Sequence, residues 1–388
     1  MIPESEQDLA RIVASASGPF RIQGGGTRPV GNPCHGQPLV MAGLSGVREY
    51  EPGALTIVVG AGTPMAEVNS LLREHGQFLP FEPMDCCRLL GTDGTSTVGG
   101  VVATNSSGPR RVLVGACRDF VIGMKFVDGE GKTIKAGGRV MKNVTGYDVS
   151  KLLVGSYGTL GVITEVCFKV LPLPGETAAL LVNGLSDRQA VRAMTAALNS
   201  PFEVAGAAHL PSGIDGHPVT MIRIEGSGVS VDYRVKLLKR LLSSFGDVIV
   251  ERDSERTQAG WKYVRDVEKF GTDSGGDVWR ISTPSGDAVE LVERARECGP
   301  VEVVYDCGGA VLWIKSGSSL NLRSRLEPLR GHATLVRASD EAKRRFGVFH
   351  PQAARVEQLS NALRRQFDPR QLFNRGIAQH GNGVAGRE

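Results

Sequence analysis

The sequence predicts an α+β protein built as two bodies: a glycine-rich first half that grips an extended ligand with main chain, and a second half of ordinary α/β packing. Two observations predict this. Of the 50 glycines in 388 residues, 28 fall in residues 1–175 and 22 in residues 176–388, which is 16% against 10%, where about 7% is usual. Glycine admits left-handed backbone and close approach to a ligand. The stretch 171–177, LPLPGET, then breaks the chain with two prolines, a glycine and no periodicity.

Composition narrows the class. A chain of 388 residues holds two or three domains at roughly 150 residues each, and buries its cores without staples. Hydrophobic residues at 41% and charged residues at 22% exclude a disordered, collagenous or coiled-coil chain. No apolar run approaches the ~18 residues of a membrane span. The opening MIPESEQDLA has three acids and no basic region, so no secretory signal is expected. The net charge of +4 is not gathered into a basic stripe, so nucleic acid is not an expected partner. Seven cysteines without a CxxC, with Cys86 and Cys87 adjacent, read as reduced thiols of a cytoplasmic protein. The sequons at Asn105 and Asn143 are then chance, and the chain has no iron–sulfur spacing of its own.

The elements follow in order. Residues 55–61, LTIVVGA, form a near-continuous apolar run, hence a buried strand. Thr63 as N-cap and Pro64 at the first position open a helix with Met65, Val68, Leu71 and Leu72 as its apolar face and Gly76 past its end. Residues 121–127 and 132–135 flank Asp128-Gly129, a hairpin signal. Residues 159–170 are β-branched and apolar, another strand. In the second half, helices are expected at 187–199, 230–244, 255–270 and 287–297. Strands are expected at 218–225, 247–250, 278–283, 301–306, 311–315 and 333–337. Together they suggest one layer with helices on one face. Residues 351–367 make a last amphipathic helix, with Val356, Leu359, Leu363 and Phe367 on one side.

Four glycine-rich blocks carry the chemistry. Gln23 to Arg28, QGGGTR, places consecutive N–H groups and a hydroxyl in one concave loop, which suits an anion such as a phosphate or is otherwise a surface turn. Gly60-Ala61-Gly62-Thr63-Pro64-Met65 follows a strand and opens a helix, but Met65 stands where a dinucleotide fingerprint needs its third glycine. Residues 94–123 interleave Gly99-Gly100, Thr104-Asn105-Ser106-Ser107-Gly108 and Gly115 with buried-type valines, so the stretch is not a floppy loop; Arg110, Arg111 and Arg118 suit a diphosphate. Lys142–Asp148 and then Gly155, Gly158 and Gly161 before a strand form a backbone ledge or a glycine-rich turn.

In this order the four blocks resemble the FAD-binding domain of the vanillyl-alcohol oxidase, or PCMH-type, flavoproteins over about residues 18–172. A closer similarity, to the E-type FAD-binding subunits of bacterial glycolate oxidases, adds residues 223–226 (RIEG), 277–282 (DVWRIS), 306–310 (DCGGA), 331–334 (GHAT), 349–351 (FHP) and 367–369 (FDP). The resemblance implies a PCMH-type FAD domain over 1–172, a cap over 173–335 and a tail over 336–388 that returns to the FAD domain. It implies that Gly24, Gly25, Gly26, Thr27 and Arg28 hold the pyrophosphate, with Pro83 beside them. Thr97, Gly99, Gly100, Ala103, Thr104, Asn105, Ser107 and Gly108 would run along the diphosphate and flavin, followed by Arg111, Gly115 and Val121. Gly158, Gly161, Val162 and Ile163 would lie by the isoalloxazine. Asn374, in a tail reading Phe373-Asn374-Arg375-Gly376 where the family usually has FNPG, is a weaker flavin-side candidate.

No His follows the GGG loop until His35, so the implied FAD is non-covalent, with Cys86 and Cys87 the residual alternative tethers. Relatives acting on D-2-hydroxy acids carry a metal-binding His cluster in the cap. Here His209 and His217 stand eight apart with no acidic third ligand nearby and read as loop histidines, so no metal is expected. The implied reaction removes a hydride from a small 2-hydroxy acid. The flavin performs the hard step while the protein orients and charges the site. Arg223 and Arg280 are candidates for the substrate carboxylate or for surface salt bridges, and His350 for a base or a structural loop residue. Implied partners are a homologous D-type flavin subunit and an iron–sulfur F-type subunit, with membrane association only through them. The alternatives are a non-catalytic, FAD-holding or electron-relaying subunit, and a stand-alone flavin oxidase of another small hydroxy compound.

Overall fold

A computed structural model describes residues 1–138, 148–271 and 275–378. Of the expected Lys142–Asp148 block all but Asp148 lies outside the described residues, as does the Asn143 sequon. The chain divides into two compact units: residues 1–107, 116–173 and 351–388, and residues 108–115 and 174–350. These bounds differ from the expected domains at two places. Residues 108–115 go with the second unit, and the expected 336–388 tail is split at His350.

The first unit is organised by a five-stranded antiparallel sheet in the order Val47–Glu51, Thr56–Gly60, Val162–Lys169, Val121–Val127, Thr133–Gly137. The expected hairpin is present. Its turn is five residues long because the Asp128 carboxylate accepts from the backbone N–H of Glu130 and of Lys132, each at 2.9 Å, and the left-handed residue is Gly131, not Gly129. Gly129 serves the tail: a Cβ there would meet Asp368 Cα at 2.6 Å. The tail inserts Leu372 and Phe373 into a core with Leu9, Val13, Phe20 and Val162, and the Phe20 N–H donates to the Leu372 carbonyl at 2.6 Å.

The dinucleotide-like segment 60–65 ends a strand of this antiparallel sheet, so no parallel crossover unit exists here. Its glycines instead allow close packing: a Cβ on Gly60 would meet the Leu44 carbonyl at 2.3 Å, and one on Gly62 the Met41 carbonyl at 2.2 Å. The following helix is Met65–Glu74 with Pro64 as its N-cap, one residue later than expected. Thr63 turns inward and its hydroxyl donates to the Gly60 carbonyl at 2.7 Å.

The second unit is one eight-stranded antiparallel sheet. Its order is Val248–Glu251, Glu176–Asn183, Val219–Gly226, Gly206–Leu210, Val301–Asp306, Val311–Ser316, Asp277–Ser282, His332–Arg337. Helices Asp187–Leu198, Gly228–Leu242 and Ala288–Glu297 contribute to the core packed on one face. Alternation assigns the faces. Ile222, Ile224, Trp279, Ile281, Leu312, Ile314, Ala333 and Leu335 enter that core. Arg223, Glu225, Arg280, Ser282, Trp313, His332 and Thr334 therefore point to the opposite face. Two strands escape sequence patterning. Glu176–Asn183 is apolar on both faces, and Gly206–Leu210 is GAAHL, made of small residues because a Cβ on Gly206 would meet the Trp261 ring at 2.9 Å.

Candidate functional site

In the first unit two glycine-rich segments and the loop containing Pro83 converge on a short helix, Val98–Ala103. The sequence reads as loop there because of Gly99 and Gly100. It becomes helical because Val98, Val101 and Val102, spaced at one helical face, are all fully buried. The 24–28 loop lies directly against the extended segment 94–97 that leads into this helix. A Cβ on Gly25 would meet the Thr95 carbonyl oxygen at 1.7 Å, and one on Gly24 the Thr97 hydroxyl at 2.2 Å. From the other side, the Gly155 N–H donates to the Val102 carbonyl at 3.0 Å and the Tyr157 N–H to the Ala103 carbonyl at 2.8 Å. The Met84 N–H donates to the Ser106 hydroxyl at 3.2 Å, which brings the loop containing Pro83 to the same segment.

The cradle has unspent hydrogen-bonding capacity. The Thr97 hydroxyl is buried between Gly24 and Gly100, and neither it nor the buried Ser156 hydroxyl has a hydrogen-bond partner among the described residues. Buried hydroxyls are ordinarily satisfied. Two such groups, beside main chain bared by glycine, fit a ligand with phosphate and heteroaromatic acceptors, and so fit FAD.

The remaining expected cofactor residues have definite places. Gly26 is left-handed at φ 76°. Arg28 braces the loops: its guanidinium donates to the Ser96 hydroxyl at 2.7 Å, to the Thr27 hydroxyl at 3.2 Å and to the Met84 carbonyl. A Cβ on Gly99 would meet Ala61 at 3.1 Å. The Thr104 hydroxyl donates to the Gly100 carbonyl at 2.8 Å. Asn105, left-handed at φ 49°, accepts the Arg118 N–H at 3.0 Å, and the Ser107 hydroxyl accepts the Cys117 N–H at 2.9 Å. Val121, Val162 and Ile163 are buried strand residues, and Gly161 leaves room for the Phe126 ring. Gly158, at φ 69°, abuts Asn374. The Asn374 carboxamide is spent on the chain itself: it accepts the Ile22 N–H at 2.7 Å and donates to the Tyr157 carbonyl at 2.8 Å. Gly108, Arg111 and Gly115 belong to the second unit.

Of the alternative tethers, Cys86 is buried, and the Cys87 thiol is pushed up in pKa by burial and by the Asp85 carboxylate. A thiol held protonated is a poor nucleophile toward a flavin.

In the second unit, the sheet face opposite that core carries helix Ser254–Arg265, whose Trp261 packs on Gly206, and elsewhere gathers cations. Register places Asp306, Val311, Ser282 and His332 in one row across four strands, and Val304, Trp313, Arg280 and Thr334 in the next. The Arg280 guanidinium donates to the Ser282 hydroxyl at 3.3 Å and lies 5.9 Å from the Trp313 ring centroid. His332 is drawn below its ordinary pKa by partial burial of its ring, and further by the positive fields of Arg280, His350 and Arg111. The Ala333 N–H points to His350 Nδ1 at 3.5 Å. The row ends at the Asp306–Ala310 turn, where Cys307, Gly308 and Gly309 are successively left-handed at φ 52°, 68° and 94°. Burial and Asp306 push the Cys307 thiol well up, so it is neutral beside these cations.

Arg223 does not join this group. It is 4% exposed; it donates to the Ala205 carbonyl at 3.2 Å, stands 3.5 Å from the Glu225 carboxylate, and stacks 4.6 Å from the Trp261 ring centroid. Arg110, expected near a diphosphate, instead pairs with the same Glu225. Glu225 thus holds two buried arginines. Removing one partner from such a cluster costs about 3–5 kcal/mol. We expect Glu225→Ala to lower unfolding free energy by that amount, read from the denaturation midpoint of the purified chain.

His209 is a strand residue, not a loop residue. It is fully buried, with Nδ1 2.9 Å from the Thr220 hydroxyl and Nε2 3.5 Å from Asp187. Nothing in the sequence alone sets His332 apart as a candidate site residue. Only the pairing of its strand with 277–282 brings it beside Arg280.

A main-chain cradle with unspent hydroxyls in an α+β unit, and a cation-lined sheet face in a second unit, define an FAD-dependent oxidoreductase of the PCMH type. The family described as "FAD binding domain" matches residues 1–137. Glycolate oxidase subunit GlcE of Escherichia coli is 34% identical over 360 residues, covering 92% of each chain. The chain belongs to the family of E-type glycolate oxidase subunits. It is also similar to glycolate oxidase subunit GlcD of Bacillus subtilis, 27% identical over 66% of this chain and 53% of that one. Among solved structures, a 4-ethylphenol oxidase from Gulosibacter chungangensis superposes with a TM-score of 0.69, covering 98% of this chain and 89% of that one. At 14% identity that likeness shows the fold alone. No described helix is long and apolar enough to cross a membrane.

Proposed function

We propose that this chain is the FAD-binding subunit of a cytoplasmic glycolate oxidase that converts glycolate to glyoxylate. It would work with a homologous flavin subunit and an iron–sulfur subunit, and reach a membrane only through them. The observation that carries the reading is the pair of unspent buried hydroxyls, Thr97 and Ser156, in a glycine-lined cradle, on a chain whose E-type relative matches it over 92% of each chain.

FAD, when bound, would supply the acceptor for a hydride from the substrate α-carbon. The rest is this chain's work. Gly24–Thr27 and Thr97 would hold the diphosphate, and Ser156 would hydrogen-bond the cofactor. Arg280, oriented by Ser282 and Trp313, would take the substrate carboxylate. A planar guanidinium binds a carboxylate through two parallel hydrogen bonds. His332, kept neutral by its depressed pKa, would accept the hydroxyl proton on a ring nitrogen. His350, beside it, would steady the strand end. Arg223 is assigned to packing.

The FAD would be held without a covalent bond. We expect acid or heat to release about one equivalent of yellow cofactor per chain into the supernatant. Flavin remaining with the pellet would contradict non-covalent binding. For the complex, glycolate-dependent reduction of an artificial dye should be weak for the isolated chain and strong once both partner subunits are co-expressed. Full activity from the isolated chain would contradict the partnership.

A further inference from the structure

Helix Ala354–Phe367 sits on the first unit the wrong way round. In an amphipathic surface helix the apolar stripe faces the core. Here Val356, Leu359 and Leu363 form a stripe at helical spacing and are 48%, 61% and 38% exposed. Glu357, Ser360, Asn361, Arg364 and Phe367 are the half-buried residues, and no residue of the helix is fully buried. On the polar side the Arg364 guanidinium donates to Asn361 Oδ1 one turn back in the same helix at 3.1 Å, and burial draws the Arg364 pKa down. The helix end is fixed where Phe367 lies 6.0 Å from the Phe126 ring and its carbonyl accepts the Gly129 N–H at 2.8 Å. A 14-residue helix gains little from propensity alone in water. One that turns its leucines outward is built to be covered.

We propose that this stripe is the docking surface for the homologous flavin subunit of the oxidase, which would present an apolar groove edged with carboxylates. The proposal rests on the subunit reading above. Charge selects the occupant. The exposed side carries Arg355 and Arg365 and no acid, since Glu357 lies on the inward side. A second copy of this chain would bring arginines against arginines, a repulsive arrangement. A non-identical chain with carboxylates at the groove rim would pair with them. The stripe has three aliphatic side chains and no outward aromatic, which is thin for insertion into an anionic membrane surface. It suits one patch of a larger protein interface, whose core is apolar and whose rim is charged.

The test compares the wild-type chain with Leu359→Glu/Leu363→Glu, each tagged and co-expressed with the two partner subunits. The wild type should recover the homologous flavin subunit in about equal amount. The double variant should recover at least tenfold less, while its FAD content and melting temperature as an isolated chain stay unchanged. Leu359→Met/Leu363→Met should restore recovery. Equal recovery by the glutamate variant would overturn the proposal. So would a lowered melting temperature, which would place the stripe inside the chain's own packing. Wild-type dimerisation, or flotation with phosphatidylglycerol vesicles, that is lost in the variant would also overturn it, naming a second copy or a membrane as the occupant. If the wild type recovers no flavin subunit at all, the subunit reading itself fails, and the docking surface with it.

Discussion

Gly25→Val should abolish flavin binding at ordinary concentrations. The cause is the chain's own packing more than the ligand. A Cβ at 25 falls 1.7 Å from the Thr95 carbonyl oxygen and 2.7 Å from its carbon. Backbone cannot yield as a flexible side chain can, so the 24–28 loop must leave the segment that leads into the Val98–Ala103 helix. The Thr97 hydroxyl and the bared main chain then no longer face one ligand. We expect FAD affinity to fall at least a hundredfold, about 2.7 kcal/mol, in a chain that keeps its circular dichroism. Gly99→Val should be milder, because its Cβ would meet Ala61 at 3.1 Å, a contact that small shifts relieve. Gly53→Ala, with nothing within 4 Å, should bind normally. Equal FAD affinity in Gly25→Val and wild type, measured by fluorescence titration, would remove the loop from the cradle.

Arg280→Ala should cost the assembled oxidase about 10²–10³ in kcat/KM for glycolate, some 2.7–4 kcal/mol, with FAD content unchanged. The loss is that of a charge-assisted bidentate contact to the substrate carboxylate. Arg280→Lys should recover only part, since an ammonium keeps the charge and loses the fork. His332→Gln should lower kcat by about 10²–10⁴. The pH profile separates chemistry from packing. The His332 pKa is drawn below 6.5, so the imidazole is neutral and able to accept a proton above that value. The rate should fall on the acid side, below pH 6.5, and His332→Gln should erase that limb. If Arg280→Ala leaves the complex's rate unchanged, the substrate is oxidised in the partner flavin subunit and this chain holds FAD without touching glycolate.

Much of this was legible in the sequence because glycine and apolar periodicity are local signals. The 56–60 strand, the 121–137 hairpin and the helices at 187–198, 228–242 and 288–297 lie within a few residues of their expected places. Long-range pairing was not legible. Nothing near Arg110 or Arg223 announces that both converge on Glu225. Arg28 and Asn374 are residue types that could serve a ligand. Only the fold reveals that they tie together segments far apart in the chain. Small-residue strands such as GAAHL carry no alternation to detect, because their composition answers to the Trp261 ring packed on Gly206. The final helix was legible as amphipathic, but which of its sides meets the protein is a property of the partners around it.

The most direct test of the account is the flavin content of the purified chain. Ultrafiltration after saturation with FAD, followed by acid release and absorbance of the supernatant, should give close to one FAD per chain, reduced to a small fraction by Gly25→Val. A correctly folded wild-type chain that retains no FAD would contradict the account at its centre.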